Sequence, residues 1–198
     1  MPGASPFFLN LLRPLTRLLY ELGVTANQVT VASLVISVLT GIVVALNTGS
    51  PRALWLLSFS LLVRAVLNAM DGMLAKEFAL KSRLGSMLSE LGDVFSDSAL
   101  YLPLSLGWHF SGVLVVLVVV LAIISEMTGV LGLMVGSGRR YDGPIGKRSR
   151  ALVFGALATA IACGVPTGIW QNIVLAVLLV LQAYTVHVRA TMALRREH

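Results

Sequence analysis

Six long apolar runs, separated by short segments that contain Gly, Pro or charge, constrain this chain more than any other feature. They cover about 27–47, 53–78, 85–107, 112–137, 149–164 and 168–190. An α-helix needs roughly 20 apolar residues to cross a bilayer. With 57% hydrophobic and 12% charged residues and a mean hydropathy of +0.87, the chain lies outside the range of soluble domains. The sequence therefore predicts an all-α integral membrane protein with six transmembrane helices.

The segment before the first apolar run has a different pattern. Over residues 5–22, leucines recur at helical spacing, and Arg13 and Arg17 lie on the other side of the same helix. This pattern is typical of an amphipathic helix that lies on the membrane surface. We expect one domain over residues 1–198, made of an interfacial helix at 5–22 and a six-helix bundle at 27–190.

The placement of Lys and Arg predicts the orientation of the bundle. Thirteen of the 15 lie at the N-terminus, in the second or fourth loop, or at the C-terminal end, and Arg52 alone lies in a loop of opposite sidedness. Because cytoplasmic loops carry the excess of positive charge, we expect both termini on the cytoplasmic side of a bacterial inner membrane that the chain crosses several times. Membrane lipids, and no nucleic acid, are the expected partners of this charge.

Two consecutive spans carry polar residues on one face each. Steps of three and four residues place each series on one stripe of a helix. The two series are Arg64, Asn68, Asp71 and Ala75 on the second span, and Gly85, Ser89, Asp93 and Asp97 on the third. Polar contacts between helices would explain such stripes. A site for divalent cations and a phosphorylated head group explains them better, since intramembrane carboxylates are costly and usually functional.

The second and third spans together contain the string N-x-x-D-G-x-x-A-K-x(8)-G-x-x-x-S-x-x-x-D, from Asn68 to Asp93. It resembles the signature of the CDP-alcohol phosphotransferases, D-x-x-D-G-x-x-A-R-x(8)-G-x-x-x-D-x-x-x-D, without a gap. The resemblance implies a six-helix membrane enzyme, often a homodimer, that uses Mg²⁺ or Mn²⁺. Such an enzyme transfers a phosphatidyl or related phosphoryl group from a CDP-linked lipid, such as CDP-diacylglycerol, to an alcohol and releases CMP.

The resemblance also implies roles for individual residues. Asp93 is the expected catalytic base, with Asp97 as the alternative. The implied metal ligands are Asn68, Asp71, Ser89, Asp93 and Asp97. The implied donor-binding residues are Asn27, Gly72, Ala75, Lys76 and Ser82.

The chain departs from the family signature at three positions. Asn68 and Ser89 replace aspartates, and Lys76 replaces an arginine. Each lost carboxylate removes negative charge, so we expect weaker metal binding. Compensation is expected from Glu90, from Asp97 or from Glu126, although a structural role for Glu126, paired with Arg64 or within a hydrogen-bond network, would explain that acid equally well. A second register, in which Asp93 and Asp97 act as the third and fourth carboxylates, stays open, although the ungapped match favours Asp93 as the last.

The fourth loop packs five cations into the twelve residues 139–150. The resemblance places this region near the acceptor, which predicts glycerol 3-phosphate or an anionic lipid as the acceptor. The expected acceptor-binding residues are Arg139, Arg140, Lys147 and Arg150. Membrane topology and contact with anionic lipid heads would explain the same charges equally well.

Three functions compete at this point. The first is an active, metal-dependent phosphatidyltransferase in phospholipid synthesis. The second is a catalytically weak member that binds a lipid or nucleotide, which the losses at Asn68 and Ser89 motivate. The third, an ion or lipid transporter, ranks lowest because nothing in transport requires the fixed motif spacing.

Overall fold

The structure of the chain is a computed structural model that describes residues 6–78, 80, 82–107 and 110–195. These residues form seven α-helices and one short 3₁₀ helix, and no strand occurs among them. The α-helices are α1 (Pro6–Glu21), α2 (Ala26–Leu46), α3 (Pro51–Glu77), α4 (Arg83–Tyr101), α5 (Gly112–Leu131), α6 (Lys147–Ala162) and α7 (Ile169–Leu194); the 3₁₀ helix Leu102–Leu106 follows α4. The predicted all-α fold is confirmed.

Four helices are long and apolar enough to cross a membrane, namely α2, α3, α5 and α7. Helix α4 has 19 residues but carries Glu90, Asp93 and Asp97, and α6 has only 16 residues. The structure thus agrees with a membrane protein, whereas the count of six spans stays a prediction.

Helix α1 packs one face against α3. Its Leu12 joins a buried apolar cluster with Ala69, Met70 and Met73 of α3, while Leu11 on the other side is 64% exposed. A helix over Pro6–Glu21 thus lies where an amphipathic helix was expected over 5–22, and residue 5 lies outside the described residues. Its position at a membrane surface stays a prediction.

The fourth predicted span is too long. It was expected to reach residue 137, but α5 ends at Leu131. Gly136 and Gly138 adopt φ values of 80° and 77°, a region that favours glycine, and the chain turns back there. The amide of Arg140 then donates a hydrogen bond to the Gly129 carbonyl at 3.0 Å. These glycines therefore belong to the loop after α5, although the apolar run predicts that the helix continues through them.

Helix α2 packs against both α3 and α4, α5 packs against α7, and α3 packs against α6. Helices α2 and α4 approach each other closely at Gly41, where an added Cβ would lie 2.0 Å from the carbonyl oxygen of Ala99. A large apolar cluster, which includes Leu57, Tyr101 and Phe154, fills the rest of the bundle. This arrangement places the polar faces of α2, α3 and α4 next to one another.

Candidate active site

The motif residues of α3 and α4 meet where the two helices face each other. The Asn68 Nδ2 on α3 donates a hydrogen bond to Asp93 Oδ1 on α4 at 2.9 Å. Asp71, one turn after Asn68, lies within electrostatic reach of Asp93, and both aspartates are only 9% exposed. The structure therefore brings the two predicted stripes together. We call Asn68, Asp71, Ser89 and Asp93 the motif site.

Helix α2 supplies two hydroxyl groups that the motif did not indicate. Thr30 Oγ1 donates to Asp71 Oδ2 at 2.9 Å, and Ser33 Oγ donates to Asn68 Oδ1 at 3.3 Å. The side-chain amide of Asn68 must point its NH₂ group at Asp93, because an ionised carboxylate only accepts hydrogen bonds. Thr30 belongs to the stretch T-A-N-x-x-T at the start of α2, which also resembles the family, and the helical spacing from Thr30 was the signal that could have revealed Ser33.

Lys147, the first residue of α6, forms an ion pair with Asp93 Oδ2. Arg64 Nη2 lies 3.1 Å from Asp93 Oδ1, so three side chains donate to this one carboxylate: Arg64, Asn68 and Lys147. The side chain of Lys147 is 37% exposed, whereas that of Arg64 is 6% exposed. Lys147 is therefore the partner of Asp93 that can move away without opening the bundle.

Asp97, one turn beyond Asp93, is held by two buried arginines. Its Oδ1 pairs with Arg64 Nη1, and its Oδ2 accepts hydrogen bonds from Arg150 Nη2 at 3.0 Å and Nε at 3.3 Å. Both oxygens of Asp97 are thus engaged by cations from the protein. These ion pairs favour the ungapped register, with Asp93 as the last carboxylate of the motif.

Glu126 of α5 lies at the centre of three arginines from three other parts of the chain. Arg139 Nη2 lies 3.0 Å from its Oε2, and Arg150 Nη2 and Arg189 Nη1 lie 3.1 Å and 3.5 Å from its Oε1. Arg139 also donates to Glu90 Oε2 of α4 at 2.6 Å. We call Glu90, Glu126, Arg139, Arg150 and Arg189 the arginine cluster.

Arg139 lies in the loop between α5 and α6. Burial would lower the pKa of its guanidinium group, but hydrogen bonds with Glu90 and Glu126 raise it more, so the pKa lies above its ordinary value. Arg139 is therefore a fixed cation whose charge is balanced by carboxylates of the protein.

Two of the predicted donor-binding residues lie together at the start of α4. An added Cβ at Gly85 would lie 2.4 Å from Asn27 Oδ1 and 2.9 Å from Ser82 Oγ, and Ser82 Oγ accepts a hydrogen bond from the Gly85 amide at 2.8 Å. A side chain at position 85 would displace both groups, which gives the motif glycine a steric reason. The other three predicted donor-binding residues lie on the C-terminal third of α3. Gly72 and Ala75 are half-buried, and Lys76 is exposed.

The predicted acceptor-binding residues all have acidic partners. Arg139, Lys147 and Arg150 pair with carboxylates as described above, and Arg140 Nε lies 3.0 Å from Asp142 Oδ2. These four loop cations are thus paired with carboxylates of the protein.

The resemblance implies divalent cations, and whether the motif site can hold them depends on its oxygen donors. Within the described ranges, no three His, Cys, Asp or Glu side chains form a group that could hold a metal ion. The acids expected to compensate for the lost carboxylates pair with arginines instead: Glu90, Asp97 and Glu126.

Asp71 differs from these acids because its side-chain partner is the hydroxyl group of Thr30. One carboxylate, the neutral oxygens of Asn68 and Ser89, and phosphate oxygens of a substrate form an adequate ligand set for one Mg²⁺. Among the described residues of the motif site, Asp71 is thus the carboxylate with a hydroxyl partner, whereas Asp93 has ion-pair partners, so this donor set suits one divalent cation better than a pair.

Comparison with known proteins agrees with this geometry. The chain belongs to the CDP-alcohol phosphatidyltransferase family, which it matches over residues 23–192. It is 40% identical over 181 residues to the inner membrane protein YnbA of Escherichia coli, which covers 91% of this chain and 90% of that protein. The resemblance seen in the motif is confirmed, and family membership supports phosphatidyl transfer as the chemistry of the class.

Two solved structures of phosphatidylinositol phosphate synthase from Mycobacterium tuberculosis share the fold. The one with CDP-DAG bound has a TM-score of 0.77 and 18% identity and covers 98% of this chain and 100% of that chain. The one in complex with manganese and citrate has a TM-score of 0.76 and 19% identity and covers 93% and 92%. At this identity the likeness shows a common fold.

Proposed function

We propose that this chain transfers a phosphatidyl group from a CDP-linked lipid, such as CDP-diacylglycerol, to an alcohol and releases CMP. The observation that carries the proposal is the contact of Asn68 with Asp93, which unites both halves of the family motif beside Asp71. The cationic side chain of Lys147 lies at the same point. A phosphoryl-transfer site requires this combination of a carboxylate near the attacking hydroxyl and positive charge near the leaving phosphates.

The donor is proposed to enter beside α2. An open, apolar groove of about 490 Å³ runs along this helix from the half-buried Asn27, and a lipid-linked donor needs such a surface for an acyl chain. Its lining residues are Asn27, Gln28, Val31, Ala32, Val35 and Ile36. The CDP group would then reach the residues at the ends of α3 and α4, namely Gly72, Ala75, Lys76 and Ser82.

The proposed cofactor is one Mg²⁺ or Mn²⁺, held by Asp71 with the oxygens of Asn68 and Ser89. When bound, a divalent cation neutralises charge on a pyrophosphate and orients the leaving CMP. The related fold solved with manganese supports this assignment.

Asp93 is the proposed base for the acceptor hydroxyl. Its Oδ2 is blocked by Lys147, and a pyrophosphate arriving at the site competes for that ammonium group. Transfer of Lys147 from Asp93 to the donor would free Oδ2 to accept the proton of the alcohol. Asp97 is the less suitable base because Arg64 and Arg150, both buried, occupy its two oxygens.

The location of the site follows from the same proposal. The relative from E. coli is named an inner membrane protein, and we propose the same bacterial membrane here, with six spans once α4 and α6 are included. Both termini and the motif site would then face the cytoplasm, and homodimerisation is proposed from the family resemblance. Labelling of single cysteines introduced in the loops of intact and opened cells would test the orientation.

One observation favours the second candidate, a catalytically weak protein that binds a lipid or nucleotide. Asp93 receives donors from Arg64, Asn68 and Lys147 at once, so the base is blocked until Lys147 moves. If the ammonium group never leaves, the chain binds the donor without transfer.

Release of CMP distinguishes the two candidates. The purified full chain in detergent is incubated with labelled CDP-diacylglycerol, Mn²⁺ and a panel of alcohols, with Asp71→Asn as the inactive comparison. We expect CMP release by the wild type with at least one alcohol and none by the variant. Donor binding without CMP release from any alcohol would establish the binding protein, and absence of both would end the proposal.

A further inference from the structure

The three arginines around Glu126 form an arrangement that usually binds a multivalent anion from solution. Here the anion belongs to the protein. Glu126 is 5% exposed and is the charged residue of the largely apolar helix α5, and its two oxygens face guanidinium groups from the fourth loop, α6 and α7. Such a costly position for a carboxylate calls for a role.

The guanidinium groups of the cluster are already paired with carboxylates of the protein. All three face Glu126, Arg139 also pairs with Glu90, and Arg150 also pairs with Asp97, which lies outside the cluster and is shared with Arg64. Arg189 is held further by the Ser125 and Asp142 carbonyl oxygens, at 2.5 Å and 3.2 Å. A phosphomonoester would bring a charge of about −1.5 to −2 to guanidinium groups that are already paired with carboxylates. It could bind only by displacing Glu126, which would leave a buried carboxylate without its partners.

A hydroxyl group adds no charge to the cluster. Arg150 is 1% exposed, and its Nη1 has no hydrogen-bond partner in the part of the chain that the structure describes. An uncharged oxygen that reached this buried atom would accept its hydrogen bond and leave the charge of the cluster unchanged.

We propose that Glu126 is a built-in anion that closes the arginine cluster to phosphate-bearing acceptors, so that the acceptor of this chain is an alcohol without a phosphate group. The inference rests on the proposed function and replaces the phosphorylated acceptor that the loop charges alone predicted. Specificity arises here from repulsion of the wrong ligand as much as from contacts with the right one.

Direct binding tests the proposal without turnover. Binding of glycerol 3-phosphate to the purified full chain is measured by titration calorimetry in the wild type, in Glu126→Gln and in Glu21→Gln. The last is a matched control, since Glu21 is an exposed acid that pairs with Arg17 on α1. We expect no saturable binding at millimolar concentration in the wild type and the control, and at least tenfold tighter binding in Glu126→Gln. Saturable binding by the wild type that the substitution leaves unchanged or weakens would overturn the proposal.

A second variant keeps the test decisive if Glu126→Gln does not fold. Glu90→Gln, at a half-buried position, releases only one of the two carboxylates that hold Arg139. It should give a gain of roughly threefold, and the same elution volume as the wild type shows that it is folded. If Glu126→Gln does not fold and Glu90→Gln shows no gain, the proposal is wrong.

Turnover separates this inference from the proposed function. With CDP-diacylglycerol as donor, we expect at least tenfold faster CMP release with glycerol than with glycerol 3-phosphate. Faster release with glycerol 3-phosphate would sink the acceptor inference and keep the transferase. Absence of release with every alcohol would sink the transferase, while the calorimetric comparison still decides the role of Glu126.

Discussion

The motif site and the arginine cluster use the same kinds of side chain in different ways. In the arginine cluster, the side chains of Arg150 and Glu126 are 1% and 6% exposed, and these two buried charges pair with each other. In the motif site, Lys147 is 37% exposed, and Asp71 is paired with a hydroxyl group. An ion pair with one exposed partner can exchange that partner for a ligand, whereas a buried matched set cannot do so cheaply. The part proposed to react thus differs in its exposure from the part proposed to select the acceptor.

Substitution of Asp93 should have the largest effect on the reactive part. Asp93→Asn removes the proposed base, so we expect transfer to fall about 10³-fold while binding of CDP-diacylglycerol stays within a few-fold. Single-turnover CMP release and donor titration measure the two quantities. Asp142→Asn, in the exposed fourth loop, is the matched control and should keep both. Equal losses of binding and transfer would mean that Asp93 holds the site together and does not act as a base.

Substitution of Arg150 should have the largest effect on stability. Arg150→Met leaves Asp97 and Glu126 each short of a cation in the interior, which costs about 3–5 kcal/mol. Arg17→Met, which breaks an exposed pair with Glu21, should cost at most about 1 kcal/mol. Unfolding midpoints in detergent compare the two variants. Similar losses for both would show that the arginine cluster is not the rigid part of the molecule.

Restoration of the two family aspartates should have the smallest of the three effects, and the quantity that changes is the affinity for metal ions. Asn68→Asp with Ser89→Asp adds two carboxylates beside Asp71, so we expect Mn²⁺ to bind about tenfold tighter and with a higher stoichiometry. Electron paramagnetic resonance of free and bound Mn²⁺ measures both. Asn47→Asp, at the opposite end of α2, controls for charge alone. An unchanged affinity would mean that another acid already completes the site, in conflict with the ion pairs of Asp97 and Glu126.

Hydropathy was sufficient to locate most helices. The first two apolar runs coincide with α2 and α3 to within two residues at each end, because the thickness of the bilayer sets the length of an apolar helix. The errors occur where local backbone geometry prevails. Helix α4 gives way to a 3₁₀ turn at Pro103, which lacks an amide hydrogen, and α5 stops before the glycines of the following loop.

The motif spacing predicted which stripes meet but not how their charges pair. Contact between Asn68 and Asp93 follows from two helical periods and a short loop. The pairing of Lys147 with Asp93, and of Arg189 with Glu126, joins elements that are distant along the chain. Periodicity within one helix carries no information about such partners, so the loop cations were expected to face a ligand when they face carboxylates of the protein.

Gly41 lies about three turns from Thr30 on α2, within the apolar part of the bundle. Because a methyl group there would lie 2.0 Å from the Ala99 carbonyl oxygen, any larger residue must push α2 away from α4. Such a shift would carry Thr30 away from Asp71 although no polar residue had changed. The tolerance of this chain to mutation is thus set partly by a steric fit between two backbones that lies outside the motif site.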